Sequence, residues 1–392
     1  MLKPMKVVLS PRGVRRVLAR HPWVWRDDVL GMPSGPGIYP VEGKRGVLGW
    51  ALVNPESQIS VRVFRFGDVD DPLDALWENL QRALEYRRSA YEDEQAGLRL
   101  AYAEADMLPG LVIDSYARHL VLQAHAAAWE PLLGELAERL RESLAPHSIL
   151  ARHDSPLRQR EGLPRYRKFL YGEAPEAVTV REGKIRYLAR PNSGQKTGAF
   201  LDQRDNRLFL GNFAKGRGYQ RGLDVFGYQG LFGLQLSRHL KSVEVVDSSA
   251  AALAAARANA ELNHAGNLTF TEANAFDLLR ARERAGERYD VIVLDPPAFA
   301  AKRADRERAL AAYKEVNLRA LKLLRPGGLL ATASCSHHVG EGEFYEMLAA
   351  AAADAHRLVR LAARRGQAWD HPVLLTVPET HYLKFALLEV LA

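Results

Sequence analysis

Residues 223–233 read LDVFGYQGLFG. The first four suit a buried strand, Gly227 and Gly230 permit a tight turn with close backbone approach, and a helix follows. The same grammar continues downstream: SVEVVD (242–247), an alanine-rich helical run from Ser249 to Asn263, LTFTEA (268–273), a helix, YDVIVLD (289–295), a helix, and LLATAS (329–334). Strands alternating with helices require right-handed crossovers and a parallel sheet covered on both faces. The expected class is therefore α/β, a Rossmann-like domain over 189–392. Such sheets bind ligands outside the carboxyl ends of their strands, where the strand order reverses, so those ends hold the informative residues.

Upstream the pattern differs. Through residue 70, short β segments (VLS, GIYPV, VLGWALV, ISVRVFRF) are separated by Gly and Pro, as in a small barrel. From Asp71, Leu73, Leu76, Trp77, Leu80 and Leu84 recur at helical spacing; then AGLRLAYAEAD, LPGLVIDSY and LVLQAHAAAW alternate as strands, and Glu130 to Leu144 is amphipathic. This predicts an α+β middle domain over 71–188, closed by a hairpin turning at Glu182, Gly183 and Lys184. A chain of 392 residues supports this division, because single cores stop growing near ~250–300 residues.

Composition narrows the function. The net charge of +7 favours polyanionic partners. Arg12, Arg15, Arg16 and Arg20 precede His21, Trp23 and Trp25, a mixture suited to phosphate contact and base stacking; Arg12, Arg16 and Trp23 are the candidate RNA contacts, although the Trp rings also suit barrel core. Arginine is dense again between Arg152 and Lys168. The one cysteine excludes an intramolecular disulfide and a multi-cysteine zinc site. MLKPMKVVLSPRG lacks the apolar core of a signal peptide, and no run reaches the ~18 apolar residues of a membrane span, so no membrane partner and a cytoplasmic location are expected.

At the strand ends the residues are chemical. Asp247, with Ser248 after it, stands about twenty residues beyond the first loop, where a carboxylate takes both hydroxyls of a ribose. A hydride-transfer dinucleotide would prefer GxGxxG for its pyrophosphate, whereas GYQGLFG carries bulky aromatics. S-adenosylmethionine has no phosphate; Asp224 suits its amino group, and Phe226 and Tyr228 suit its cation. Gly230 completes that loop. Asn274 and Ala275 follow the third strand, placed to read an adenine edge by an amide and a backbone N–H.

The fourth strand ends in Asp295-Pro296-Pro297-Ala298-Phe299. The prolines stiffen the loop around the acid so that a planar base can be gripped by Pro296, Pro297 and Phe299. The fifth ends at Ser334-Cys335-Ser336, which puts the lone thiol at the same sheet edge as Asp295. An amine attacks a methyl sulfonium directly, but carbon 5 of a pyrimidine needs a thiolate added at carbon 6 first. Cys335 and Asp295 are thus the expected catalytic pair, and no metal is expected at His337 and His338.

With these motifs in hand, the chain resembles the bacterial 23S ribosomal RNA (cytosine-5) methyltransferases of the RlmI and RlmO type, closer to the RlmO branch. The resemblance rests on RHPWVW (20–25), LPGLVIDSY (108–116), GQKTGAFLDQRDNR (194–207), LDVFGYQG, VLDPPAF, ASCSHH (333–338) and DHPVLLTVPETHYLKF (370–385). It implies a PUA-like first domain, a class I methyltransferase domain, S-adenosylmethionine as cofactor, and ribosomal RNA or a large-subunit particle as partner. It adds Thr197, Phe200, Asp202, Gln203 and Arg204 to the cofactor pocket, makes Cys335 the nucleophile and has Asp295 bond the cytosine; Asp295 is also counted among the cofactor-binding residues. Ala298 stands where relatives often have lysine.

The function expected is formation of 5-methylcytosine in 23S ribosomal RNA through a covalent Cys335 adduct. The alternatives are methylation of a base amine or of uracil carbon 5, and a non-catalytic RNA-binding assembly factor. The oligomeric state stays open between monomer and homodimer.

Overall fold

The computed structural model describes residues 6–44, 46–300 and 302–392; the first five residues of the N-terminal stretch read above lie outside them. Contacts divide the chain into two compact units. The first is Met1–Val180 with Ala189–Leu201 and Asp370–Thr380, and the second is Arg181–Leu188 with Asp202–Trp369 and His381–Ala392. The expected spans 1–70 and 71–188 thus fall within the first unit apart from Arg181–Leu188, which carries the turn and the adjoining strand residues of the hairpin Val178–Glu182 and Ile185–Ala189.

In the first unit, six strands form one sheet in the order Trp23–Val24, Val61–Phe66, Gly46–Val53, Gly37–Gly43, Val7–Leu9, Val29–Gly31. Five more, from Gly97–Tyr102 to Tyr166–Tyr171, form a second sheet. Strand alternation joins them: Ala51, Val53, Val61 and Val63 fill the core of the first sheet, while Leu52 and Phe64 face the other way into the core of the second. Full burial of a valine, leucine or phenylalanine side chain such as these is worth about 1.5–3 kcal/mol, so the two sheets share packing too large to separate cheaply.

Two elements depart from expectation. Pro11–Leu18 is a helix, capped by the Ser10 hydroxyl, which accepts from Gly13 N; with Gly13 and Val17 buried and Val14 partly so, it offers too few apolar side chains to show a period. The amphipathic run from Glu130 begins its α-helix only at Leu133, because Ala127–Leu132 is a 3-10 turn containing Pro131, which has no N–H to donate.

The second unit is built on seven strands: β1 (Arg221–Val225), β2 (Ser242–Asp247), β3 (Leu268–Glu272), β4 (Tyr289–Leu294), β5 (Leu324–Ser334), β6 (Val359–Arg365) and β7 (Lys384–Val390), in the order β3-β2-β1-β4-β5-β7-β6. The first five run parallel, and β7 is antiparallel to both its neighbours. Every residue of β4 is buried. Val291 and Val293 feed one core, and Ile292 and Leu294 the other, as a sheet covered on both faces requires. The order reverses between β1 and β4, so Asp224 and Asp295 flank the switch point. Among the described residues no helix is long and apolar enough to cross a membrane.

Candidate active site

The second unit gathers Asp202, Gln203, Arg204, Asp224, Phe226, Tyr228, Gly230, Asp247, Ser248, Asn274, Ala275, Asp295, Pro296, Pro297, Phe299 and Cys335. Thr197 and Phe200 belong to the first unit, where the buried Thr197 hydroxyl bonds Asp114 and stands 2.8 Å from the Tyr116 hydroxyl. Arg12, Arg16 and Trp23 also lie there. Arg12 pairs with the buried Asp28 at 2.6 Å, Arg16 lies 4.2 Å over the Trp25 ring, and Trp23 donates from Nε1 to Glu104 at 2.9 Å. Trp23 is therefore half-buried and oriented, and Arg12 is already ion-paired.

The loop after β1 is strained in a defined way. Phe226 and Tyr228 both adopt positive φ (62° and 47°), uncommon for side chains of this size, and Gly230 (φ 71°) precedes the helix Leu231–Ser237. Gly227 is small for a reason other than ligand approach: a Cβ there would meet Val245 Cγ1 at 2.5 Å. The expected close approach is thus to β2 of the sheet itself.

Asp224 lies beneath this loop. Its Oδ2 accepts from Gly233 N at 2.8 Å, while its buried Oδ1 meets no hydrogen-bond partner among the described residues. Burial pushes this carboxyl up to about 7; the Gly233 N–H opposes the shift, and Asp295 and Asp247 add to it. An acceptor so placed calls for a cationic or donating group. Asp247 uses one oxygen for Tyr228 N and the other for Ser249 N, both at 2.9 Å, which fixes its plane and leaves further lone pairs for hydroxyl donors. The Asn274 carboxamide oxygen caps the helix Ala275–Arg284 through Phe276 N, which leaves its NH2 to donate to a base.

Across the switch point, Asp295 Oδ1 accepts from Gln203 Nε2 at 2.8 Å. Gln203 Oε1 accepts from Asn206, whose amide also donates to Gly366 O and whose Oδ1 accepts from Arg365. This relay of buried amides fixes the carboxylate without neutralising it. Beside it, Pro296 is buried and Pro297 exposed, and the Phe299 ring packs 4.7 Å from Tyr313 and within about 6 Å of Phe226 and Phe276. Asp202, also buried, accepts from the Tyr382 hydroxyl, and Arg204 lies over Trp369.

The register pairs Leu294 with Thr332, so β4 and β5 leave the sheet at one edge, Asp295 one residue past that pair and Cys335 three past it. Cys335 is half-buried between the fully buried Ser334 and Ser336. The Ser336 hydroxyl stands 2.9 Å from that of Tyr313, and its carbonyl accepts from Lys384 Nζ at 2.7 Å. Asn206, Tyr313 and Lys384 escaped the reading of the sequence. Lys384 had a signal, a cation inside the otherwise apolar strand LKFALL; Asn206 and Tyr313 had none.

Comparison with known proteins completes the picture. Residues 7–66 match a PUA-like domain, and residues 145–367 match the S-adenosylmethionine-dependent methyltransferase family. "Ribosomal RNA large subunit methyltransferase I" of Shewanella denitrificans is 37% identical, over 97% of this chain and 98% of its own. The protein of that name from Tolumonas auensis is 38% identical, over 96% and 97%. Among solved structures, a Streptococcus mutans protein described as a SAM-dependent methyltransferase matches 99% of this chain and 100% of its own with TM-score 0.82 at 19% identity. A methyltransferase structure complexed with SAH matches 99% and 100% with TM-score 0.83, also at 19% identity. Both share the fold. The chain belongs to the ribosomal RNA large subunit methyltransferase I family, with a PUA-like domain and an S-adenosylmethionine-dependent methyltransferase domain.

Proposed function

We propose that the protein methylates carbon 5 of a cytosine in 23S ribosomal RNA, free or within a large-subunit particle, in the cytoplasm. The observation that carries this reading is the lone thiol, Cys335, leaving the sheet beside the strand that ends in Asp295. S-adenosylmethionine supplies an electrophilic methyl group. The donor set suits it: Asp224 presents an unsatisfied buried oxygen to an ammonium, Asp247 a fixed carboxylate to ribose hydroxyls, and Phe226 and Tyr228 aromatic surface to a cation. Gly230, Ser248, Asn274, Ala275 and Asp202 to Arg204 complete that pocket.

On the other side of the switch point, the Pro296-Pro297 loop and Phe299 hold the base. Cys335 sulfur adds to carbon 6, and Asp295, aimed by Gln203, hydrogen-bonds the ring as the added electron pair makes carbon 5 nucleophilic. Carbon 5 takes the methyl group as the carbon–sulfur bond of the sulfonium breaks, leaving S-adenosylhomocysteine; carbon 5 then gives its proton to solvent, and the sulfur–carbon 6 bond breaks to release 5-methylcytosine and the thiolate. Arg12, Arg16 and Trp23 belong to the RNA-gripping surface of the first unit.

The test is nucleoside mass spectrometry with bisulfite sequencing of 23S ribosomal RNA incubated with the protein and S-adenosylmethionine. The reading expects 5-methylcytosine, abolished in Cys335→Ser. Methylated amine or 5-methyluracil as the product, or full activity of Cys335→Ser, would replace it; absence of S-adenosylmethionine binding would leave only an assembly role.

A further inference from the structure

Lys384 is a buried cation that the chemistry above does not use. It opens β7, pairs across the sheet with Ser334, and is 5% exposed. Its Nζ donates to the carbonyls of Ser336 at 2.7 Å and Val339 at 2.9 Å, clasping the turn that begins at Cys335. Two neutral carbonyls take two of an ammonium's three donors without cancelling its charge. A neutral donor would clasp them as well, so the clasp alone does not call for a charged residue.

Burial pushes the Lys384 ammonium down to about 8, against which the Cys335 and Glu341 charges act. From the helix Arg306–Leu323, Tyr313 also feels Cys335, and its hydroxyl, raised first by burial, bonds Ser334 and Ser336. His337, next along the turn, stacks on Tyr382 two residues before Lys384. At neutral pH the lysine is predominantly protonated, and because it is buried its field on the half-buried Cys335 is screened less than that of a surface charge.

We propose that Lys384 is a positioning residue that fixes the Cys335 turn and, through its positive charge, holds the sulfur as the reactive thiolate. The inference rests on Cys335 being the nucleophile. A thiolate beside a lysine is stabilised over the thiol, and a thiolate is what adds to carbon 6.

Cys335 is the one cysteine of the chain, so alkylation by iodoacetamide reports on it alone. The alkylation rate is measured from pH 5.5 to 10 on the full chain, without RNA or S-adenosylmethionine. Two variants separate clasp from charge: Lys384→Met removes both, and Lys384→Gln keeps a donor for the carbonyls without the charge. Both are expected to move the midpoint up by about one pH unit and to slow alkylation at pH 7 about tenfold, while Lys384→Arg stays near the native profile. A native midpoint in Lys384→Gln, whatever Lys384→Met does, overturns the proposal and leaves the lysine as a clasp. Should Lys384→Met fail to fold, the Gln and Arg variants decide alone. Because no RNA is present, active Cys335→Ser would end the nucleophile reading while leaving the lysine's effect on the sulfur measured; an unmoved midpoint ends only the lysine inference.

Discussion

The two halves of the reactive sheet edge are held by different means. On the half formed by β1, β2 and β3, the polar residues find partners close by in the chain. Asp224 takes Gly233 N nine residues on, Asp247 takes Ser249 N two residues on and Tyr228 N nineteen back, and Asn274 takes Phe276 N two on. On the half formed by β4, β5 and β7, the partners are side chains from afar. Gln203 reaches Asp295 across 92 residues, Arg365 reaches Asn206 across 159, and Lys384 reaches Ser336 across 48. A backbone N–H holds a carboxylate still for a ligand that arrives preformed. A pocket that must orient a base and charge a sulfur needs groups chosen one at a time, and those come from wherever the fold delivers them.

The comparison predicts that damage to the two halves separates cleanly between turnover and cofactor affinity. Cys335→Ala should cost at least about 10³-fold in turnover, since a catalytic unit lacking its nucleophile keeps only binding contributions, with S-adenosylmethionine affinity by calorimetry unchanged. Asp295→Asn should lower kcat by about 10²–10³-fold, the usual cost of one oriented electrostatic contact to the reacting group. A matching loss of cofactor affinity in either variant would erase the distinction between the halves.

Asp224 sharpens the contrast from the other side. Its carboxyl, pushed up to about 7 by burial, must ionise to receive a cation. Cofactor affinity should therefore weaken as pH falls below about 7, by up to tenfold per unit, and Asp224→Asn should flatten that profile in calorimetry between pH 5.5 and 8. The sign for stability is opposite. The unfolded chain loses this proton from about pH 4 upward while the folded apo protein keeps it to about 7, so Asp224 makes the apo protein less stable as pH rises through that window. The smallest effect belongs to Asn206→Ala. It frees the Gln203 oxygen, the Gly366 carbonyl and the Arg365 guanidinium, costs about 1–3 kcal/mol of stability in chemical denaturation, and lowers kcat several-fold.

The contrast also explains what could be read in advance. The alternating strands, the acidic residue that ends β2, the Asp295-Pro296-Pro297 loop and Cys335 are local patterns, and local patterns survive in a sequence. The glycines were legible as turn residues, but Gly227 proved to be required by Val245 on the neighbouring strand, a reason that no run of residues displays. The helix Pro11–Leu18 was missed because eight residues hold too few inward positions to reveal a period. Gln203 was reached through resemblance to relatives, whereas its partner Asn206 was not, since an asparagine in a helix carries no mark of what its amide will touch.

By itself, the sequence determined the α/β class, the strand ends at which chemistry gathers, and the single sulfur available to react, because hydrophobic period and residue type are properties of neighbours along the chain. Tertiary structure alone decided that Gln203 aims Asp295, that Asp224 has one oxygen without a hydrogen-bond partner among the described residues, and that a lysine from β7 clasps the turn of Cys335. Those facts depend on burial and on meetings across many residues, and both arise only when the strands are laid side by side.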